Sequence, residues 1–96
     1  ARKKAPPPCS WLLSGDFPAG TLASDAPTAA RAAQEVSRRL GSALEADGRS
    51  LKAVAEQAGV SRATVYSILA GRSYPDFSTL ARLGEVMGRS LWPTGA

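Results

Sequence analysis

The sequence predicts an all-α fold of four to five helices. Apolar residues recur at helical spacing through four segments, and most of these segments have Ser or Asp just before them and Gly just after. No segment alternates polar and apolar residues for long enough to make a convincing strand. With 96 residues, 44% hydrophobic and 21% charged, the chain suffices for one packed domain and shows no internal repeat.

Residues 1–24 read as an N-terminal arm, partly disordered. Arg2-Lys3-Lys4 is basic, and Pro6-Pro7-Pro8 favours an extended polyproline II stretch without backbone donors. Trp11-Leu12-Leu13 is an apolar patch too short to be a domain, followed by Gly15, Pro18 and Gly20. It either docks the arm through Trp11 or forms one sticky turn in a floppy tail. The folded unit is expected over residues 25–92, with 93–96 as a C-terminal tail.

Helical patterning begins near Asp25, where Ser24 or Asp25 can cap and Pro27 suits a first turn. Val36, Leu40 and Leu44 form a narrow stripe among Ala29, Ala32, Ala33 and Ala43, and Asp47-Gly48 ends this long helix. Gly41 inside it costs about 1 kcal/mol relative to Ala. A second helix fits Leu51 to Ala58, capped by Ser50 and stopped by Gly59. A third fits Arg62 to Ala70, between Ser61 and Gly71. A fourth fits Phe77 to Met87, capped by Asp76 and ended by Gly88, with Phe77, Leu80, Leu83, Val86 and Met87 as its inner face. Leu91 and Trp92 can add one last turn before Pro93.

Composition narrows the function. The sequence has no His and a single Cys, Cys9, which excludes His/Cys metal clusters, His-activated nucleophiles and an intramolecular disulfide. Glu35, Glu45, Asp47, Glu56 and Glu85 are spread along helices, and no Gly-rich phosphate loop stands out. No catalytic site, metal or cofactor is expected. No apolar run approaches the roughly 20 residues that cross a bilayer, and no segment has the order of a signal peptide. A net charge of +4 fits a small basic binding module, cytoplasmic and nucleoid-associated. The high Ala, Gly and Arg content suits a GC-rich bacterial source.

Leu51 to Gly71 carries the most information. Ala55 is small enough for a close helix crossing, Gly59 can take the positive φ of a tight turn, and Val60 plugs the corner. Ser61 caps the following helix, and Val65, Ile68 and Leu69 fasten it to the core. This is a helix-turn-helix layout, whose second helix enters the DNA major groove. Ala63 and Ser67 lie opposite the core side, flanked by Arg62, Thr64 and Tyr66. Arg62 suits guanine O6 and N7, Thr64 and Ser67 can donate or accept, and Ala63 can pack on a thymine methyl. Arg62, Ala63, Thr64 and Ser67 are the candidate base readers. Ser50, Lys52, Tyr66 and Arg72, with Tyr74 as an extra candidate, are the phosphate contacts. Arg49, Lys52, Arg62 and Arg72 surround the motif against only Glu56. The arm's Arg2-Lys3-Lys4 either follows DNA or is simply solvated. A packed αα-corner without DNA explains Ala55, Gly59, Val60 and Val65, but not the short polar groups and Arg on the outer face.

Leu51 to Gly71 resembles the helix-turn-helix of the lambda-repressor-like (Xre) family. The continuation Gly71-Arg72-Ser-Tyr-Pro75, the Thr79-Leu80 helix and Gly88 extend the likeness, and the long first helix falls where the family has one. The resemblance implies a compact DNA-binding domain reading operator DNA, usually as a dimer. Ala58-Gly-Val-Ser-Arg-Ala-Thr-Val65 and Leu69-Ala-Gly71 also resemble the LacI headpiece, but a long helix precedes the motif here. Three positions depart from the Xre pattern. Leu51 replaces a phosphate-binding Gln, which shifts that contact to Ser50, Lys52 or backbone amides. Leu69 replaces a Glu paired with an Arg of the first helix, so an apolar contact is expected there. The fifth helix, often the dimer interface, is missing or stunted. A homodimer would then use the arm or the C-terminal end, unless both Trp patches only complete the core. The expected function is a sequence-specific transcriptional regulator acting as a repressor on double-stranded DNA. The competing expectations are an antitoxin with the same domain, or a protein-interaction module on a helix-turn-helix scaffold.

Overall fold

The computed structural model describes residues 6–93. A 3-10 turn at Pro8–Trp11 leads into β1 (Leu12–Ser14), which pairs antiparallel with β2 (Thr21–Leu22). Four helices follow: α1 (Thr28–Asp47), α2 (Leu51–Ala58), α3 (Arg62–Ala70) and α4 (Phe77–Met87). Arg2-Lys3-Lys4 and the end of the expected tail lie outside the described residues.

The boundaries of α2, α3 and α4 follow local chemistry. Ser50, Ser61 and Asp76 accept the amide N–H of Ala53, Thr64 and Thr79 in turn, which satisfies donors that the first turn leaves without partners. All four helices end at a left-handed glycine.

α1 starts later than the sequence suggests. Its cap is Pro27, with no side-chain cap bond, so Ser24 and Asp25 do not cap it. A proline disfavours helical geometry in the residue before it, which keeps Ala26 out of the helix. Arg31 Nη2 donates to the carbonyls of Ala23 and Ser24 at 3.0 and 3.1 Å, so this turn leans on the helix through its backbone.

The main core joins Val36, Leu40 and Ala43 of α1 to Val54, Ala55 and Ala58 of α2. Val65 and Ile68 of α3, Leu80, Leu83 and Met87 of α4, and Leu91 complete it. A smaller cluster of Leu22, Ala26 and Ala30, with Trp11, Leu12 and Phe17 against it, lies between the hairpin and α1. The two strands were not expected. They are three and two residues long, too short for alternation to register in the sequence, and their pairing is irregular between Leu12 and Ser14.

The C-terminal segment takes the shorter of its two expected forms, and the start of α4 departs from expectation. Leu91 is buried, but no fifth helix forms among the described residues. Between the stop at Gly88 and Pro93 there is too little chain to nucleate a helix. Phe77, expected on the inner face of α4, is 80% exposed. It is the first residue of its helix, and side chains tilt toward the N-terminus, which carries the ring past the edge of the core. It meets the Trp92 ring instead, with centroids 5.5 Å apart.

Candidate nucleic-acid interface

α2 and α3 pack through a turn set by Gly59, whose φ of 72° an L side chain would resist. The Gly59 amide reaches Glu56 O at 3.1 Å and the Val60 amide reaches Ala55 O at 3.0 Å, closing the end of α2. Ala55 is buried beneath this turn, and Val60 packs half-buried on the core. Ser61 then opens α3: its Oγ accepts the Thr64 N–H at 3.0 Å and lies 2.8 Å from Thr64 Oγ1.

Residues of a helix advance by about 100° each, so α3 has two distinct sides. Val65 and Ile68 are buried. Leu69 is half-buried and packs on Gly41 of α1, where a Cβ would lie 3.9 Å from its Cδ2. An apolar contact therefore stands where the sequence lacked the ion pair. On the other side Arg62, Ala63 and Tyr66 are exposed, while Ser67 and Thr64 are half-buried. Tyr66 is one turn beyond Arg62 and 59% exposed, on the same open face. Thr64 differs from the rest, because its hydroxyl is already within hydrogen-bond distance of Ser61 Oγ.

Ser50 and Lys52 are exposed at the start of α2, and Ser50 Oγ accepts the Ala53 N–H at 3.1 Å. Arg72 is exposed just past α3, its amide bonded to Ser67 O at 2.9 Å. Tyr74 is half-buried and lines an apolar groove with Pro75, Phe77 and Trp92.

The local charge differs from a count along the sequence. Arg49 Nε is 2.6 Å from Asp47 Oδ2, its Nη1 donates to Gln57 Oε1 at 2.7 Å, and its Nη2 donates to Val86 O at 2.9 Å. Arg49 is thus a clamp joining the end of α1 to α2 and α4, and Asp47 belongs in the local balance. The hydrogen bond from Arg49 holds the Asp47 carboxyl below its ordinary range and raises the Arg49 guanidinium in turn. Lys52, Arg62 and Arg72 make no side-chain hydrogen bond or ion pair among the described residues, which leaves their charge to the surface.

Sequence reasoning missed two supports of α3. Ser37 of α1 is buried, and its Oγ donates to Ile68 O. Its signal was a small polar residue beside the apolar stripe of the first helix. Phe17 of the hairpin lies against Gly71, and nothing local to Phe17 announces that contact. Among the described residues no group of His, Cys, Asp and Glu could hold a metal, and no helix is long and apolar enough to cross a membrane.

A family model described as "Helix-turn-helix" matches residues 40–91, just over half of the chain. No curated protein and no solved structure matches it.

Proposed function

The chain belongs to the Xre/lambda-repressor-like helix-turn-helix family, and from that premise we propose that it is a sequence-specific transcriptional repressor. α3 is its recognition helix, inserted in the major groove. The observation that carries this reading is the two-sidedness of α3. Val65 and Ile68 bury one side completely, while Arg62 and short groups stay open on the other. Arg62 at the N-terminal end reads guanine, Ala63 meets a thymine methyl, and Ser67 completes the base contacts. Thr64 is the weakest reader, since its hydroxyl must leave Ser61 to reach a base. Ser50, Lys52, Tyr66 and Arg72 hold phosphates, which position the helix without selecting sequence. Two chains bind one two-fold operator.

An antitoxin reading has one observation in its favour. Tyr74, Pro75, Phe77 and Trp92 line an apolar groove of about 200 Å³, with Phe77 largely in solvent. Such a surface suits a protein partner.

The deciding experiment selects bound sequences from random duplexes and reads the size of the complex in the same run. The expected result is an enriched palindrome bound by two chains. Binding with no enrichment, no stronger than the general attraction of a +4 protein for DNA, overturns the reading. A stoichiometric protein recovered with the chain from native cells would favour the antitoxin.

A further inference from the structure

The family match begins at residue 40, yet the end of α3 is held by residues that precede it. Cys9 donates its amide to Gly71 O at 2.8 Å, outside any helical ladder. Gly71 is buried with a φ of 70°, and a Cβ there would fall 2.6 Å from the Phe17 ring. Only a residue without a side chain lets the ring come so close. The hairpin that carries Phe17 is fastened in turn to α1. Buried Gln34 donates its Nε2 to Pro18 O at 3.0 Å and Gly20 O at 2.8 Å, and Arg38 Nε donates to Pro18 O at 3.1 Å. Ser37, on the same helix, holds Ile68 O. Hairpin, α1 and the end of α3 therefore close a ring of contacts around one peptide, and Arg72 is the next residue.

We propose that the hairpin of residues 6–24 is a positioning element of the DNA-binding surface, with Phe17 as its positioning residue acting through Arg72. The proposal rests on the DNA-binding reading above. Helix ends fray, and the last carbonyls of a helix lack partners within it. The Phe17 ring and the Cys9 amide cover that end of α3. They hold the αL turn at Gly71 before DNA arrives, so that Arg72 meets a phosphate without first being ordered. The hairpin touches no base in this arrangement.

The test compares Phe17→Ala, Arg72→Ala and the double variant in the full chain, on the selected duplex and on random duplex. Phe17→Ala should weaken both about tenfold, and Phe17→Leu should recover most of the loss. The double variant should bind no more weakly than Arg72→Ala alone, because Phe17 acts through that residue. Additive losses, or unchanged affinity in folded Phe17→Ala, overturn the proposal. Amide exchange supplies a second readout that needs no DNA. Gly71 and Arg72 amides should exchange faster in Phe17→Ala while Val54 and Leu83 stay protected. Equal change along the whole chain, or none at Gly71 and Arg72, also overturns it. If Phe17→Ala does not fold, Phe17→Leu carries both readouts, with the same pattern at smaller size. If the unsubstituted chain selects no sequence, the repressor reading fails, and exchange at Gly71 and Arg72 still decides whether Phe17 holds the end of α3.

Discussion

Arg62 and Arg72 bracket α3, and their two side chains should separate base reading from phosphate holding. Arg62→Ala should cost about 1–3 kcal/mol on the selected site and relax one base preference, whereas Arg72→Ala should weaken all sequences alike. Titration of both variants on matched and mismatched duplexes checks this, and an Arg62 variant with unchanged preference would leave the reading surface without its guanine contact. Gly41 offers a test of packing alone. It sits within α1, and a Cβ there would meet Leu69 Cδ2 at 3.9 Å, an ordinary contact distance. Gly41→Ala should therefore raise stability by about 0.5–1 kcal/mol, seen as a higher urea midpoint with an unchanged slope.

At the scale of the element, the caps decide where helices start. Ser61→Ala removes the acceptor of the Thr64 amide and should cost about 1 kcal/mol in urea unfolding. Asp76 and the Asp47–Arg49 pair add a pH dependence. The Thr79 hydrogen bonds hold the Asp76 carboxyl low, as Arg49 holds that of Asp47. Both acids titrate lower in the folded chain than in the unfolded one. Their stabilisation is therefore present above the unfolded carboxyl range, near pH 4, and is lost as pH falls through the folded values. The stability gap between the parent chain and Asp47→Asn should be widest near pH 6 and should narrow toward pH 2. Urea midpoints across that range would show it, and a gap independent of pH would remove Asp47 from the acid response.

Across the whole molecule, the surface cations near the motif are Lys52, Arg62, Arg72 and also Arg82, since Arg49 is used as an internal clamp. Arg82 Nη1 lies 3.9 Å from where a Cβ of Gly59 would stand. DNA affinity should therefore fall with salt by about 0.9 log units per released counterion per tenfold salt, and Arg72→Ala should reduce the slope by about one. Docking of a protein on the Phe77–Trp92 groove should hardly respond to salt, so the same titration distinguishes the two surfaces.

The helix-turn-helix was legible because its parts are local. Ser50, Ser61 and Asp76 act within three residues of themselves, the glycine stops act on their own turns, and Val65 and Ile68 mark a buried side by spacing alone. Short-range hydrogen bonds and helical period leave their pattern in adjacent positions, so the second to fourth helices could be bounded correctly without coordinates. The start of α1 was less legible, since Ser24 and Asp25 look like caps until Pro27 and the packing of Ala26 displace the boundary. The hairpin escaped notice because its strands are only three and two residues long, and Phe77 because the first position of its helix carries the ring past the core. The clamp of Arg49 on Val86 and the meeting of Phe17 with Gly71, by contrast, join residues far apart in the chain. Contacts of that kind exist only once the helices are packed, because the partner of each group is chosen by where the core brings it rather than by its neighbours in sequence.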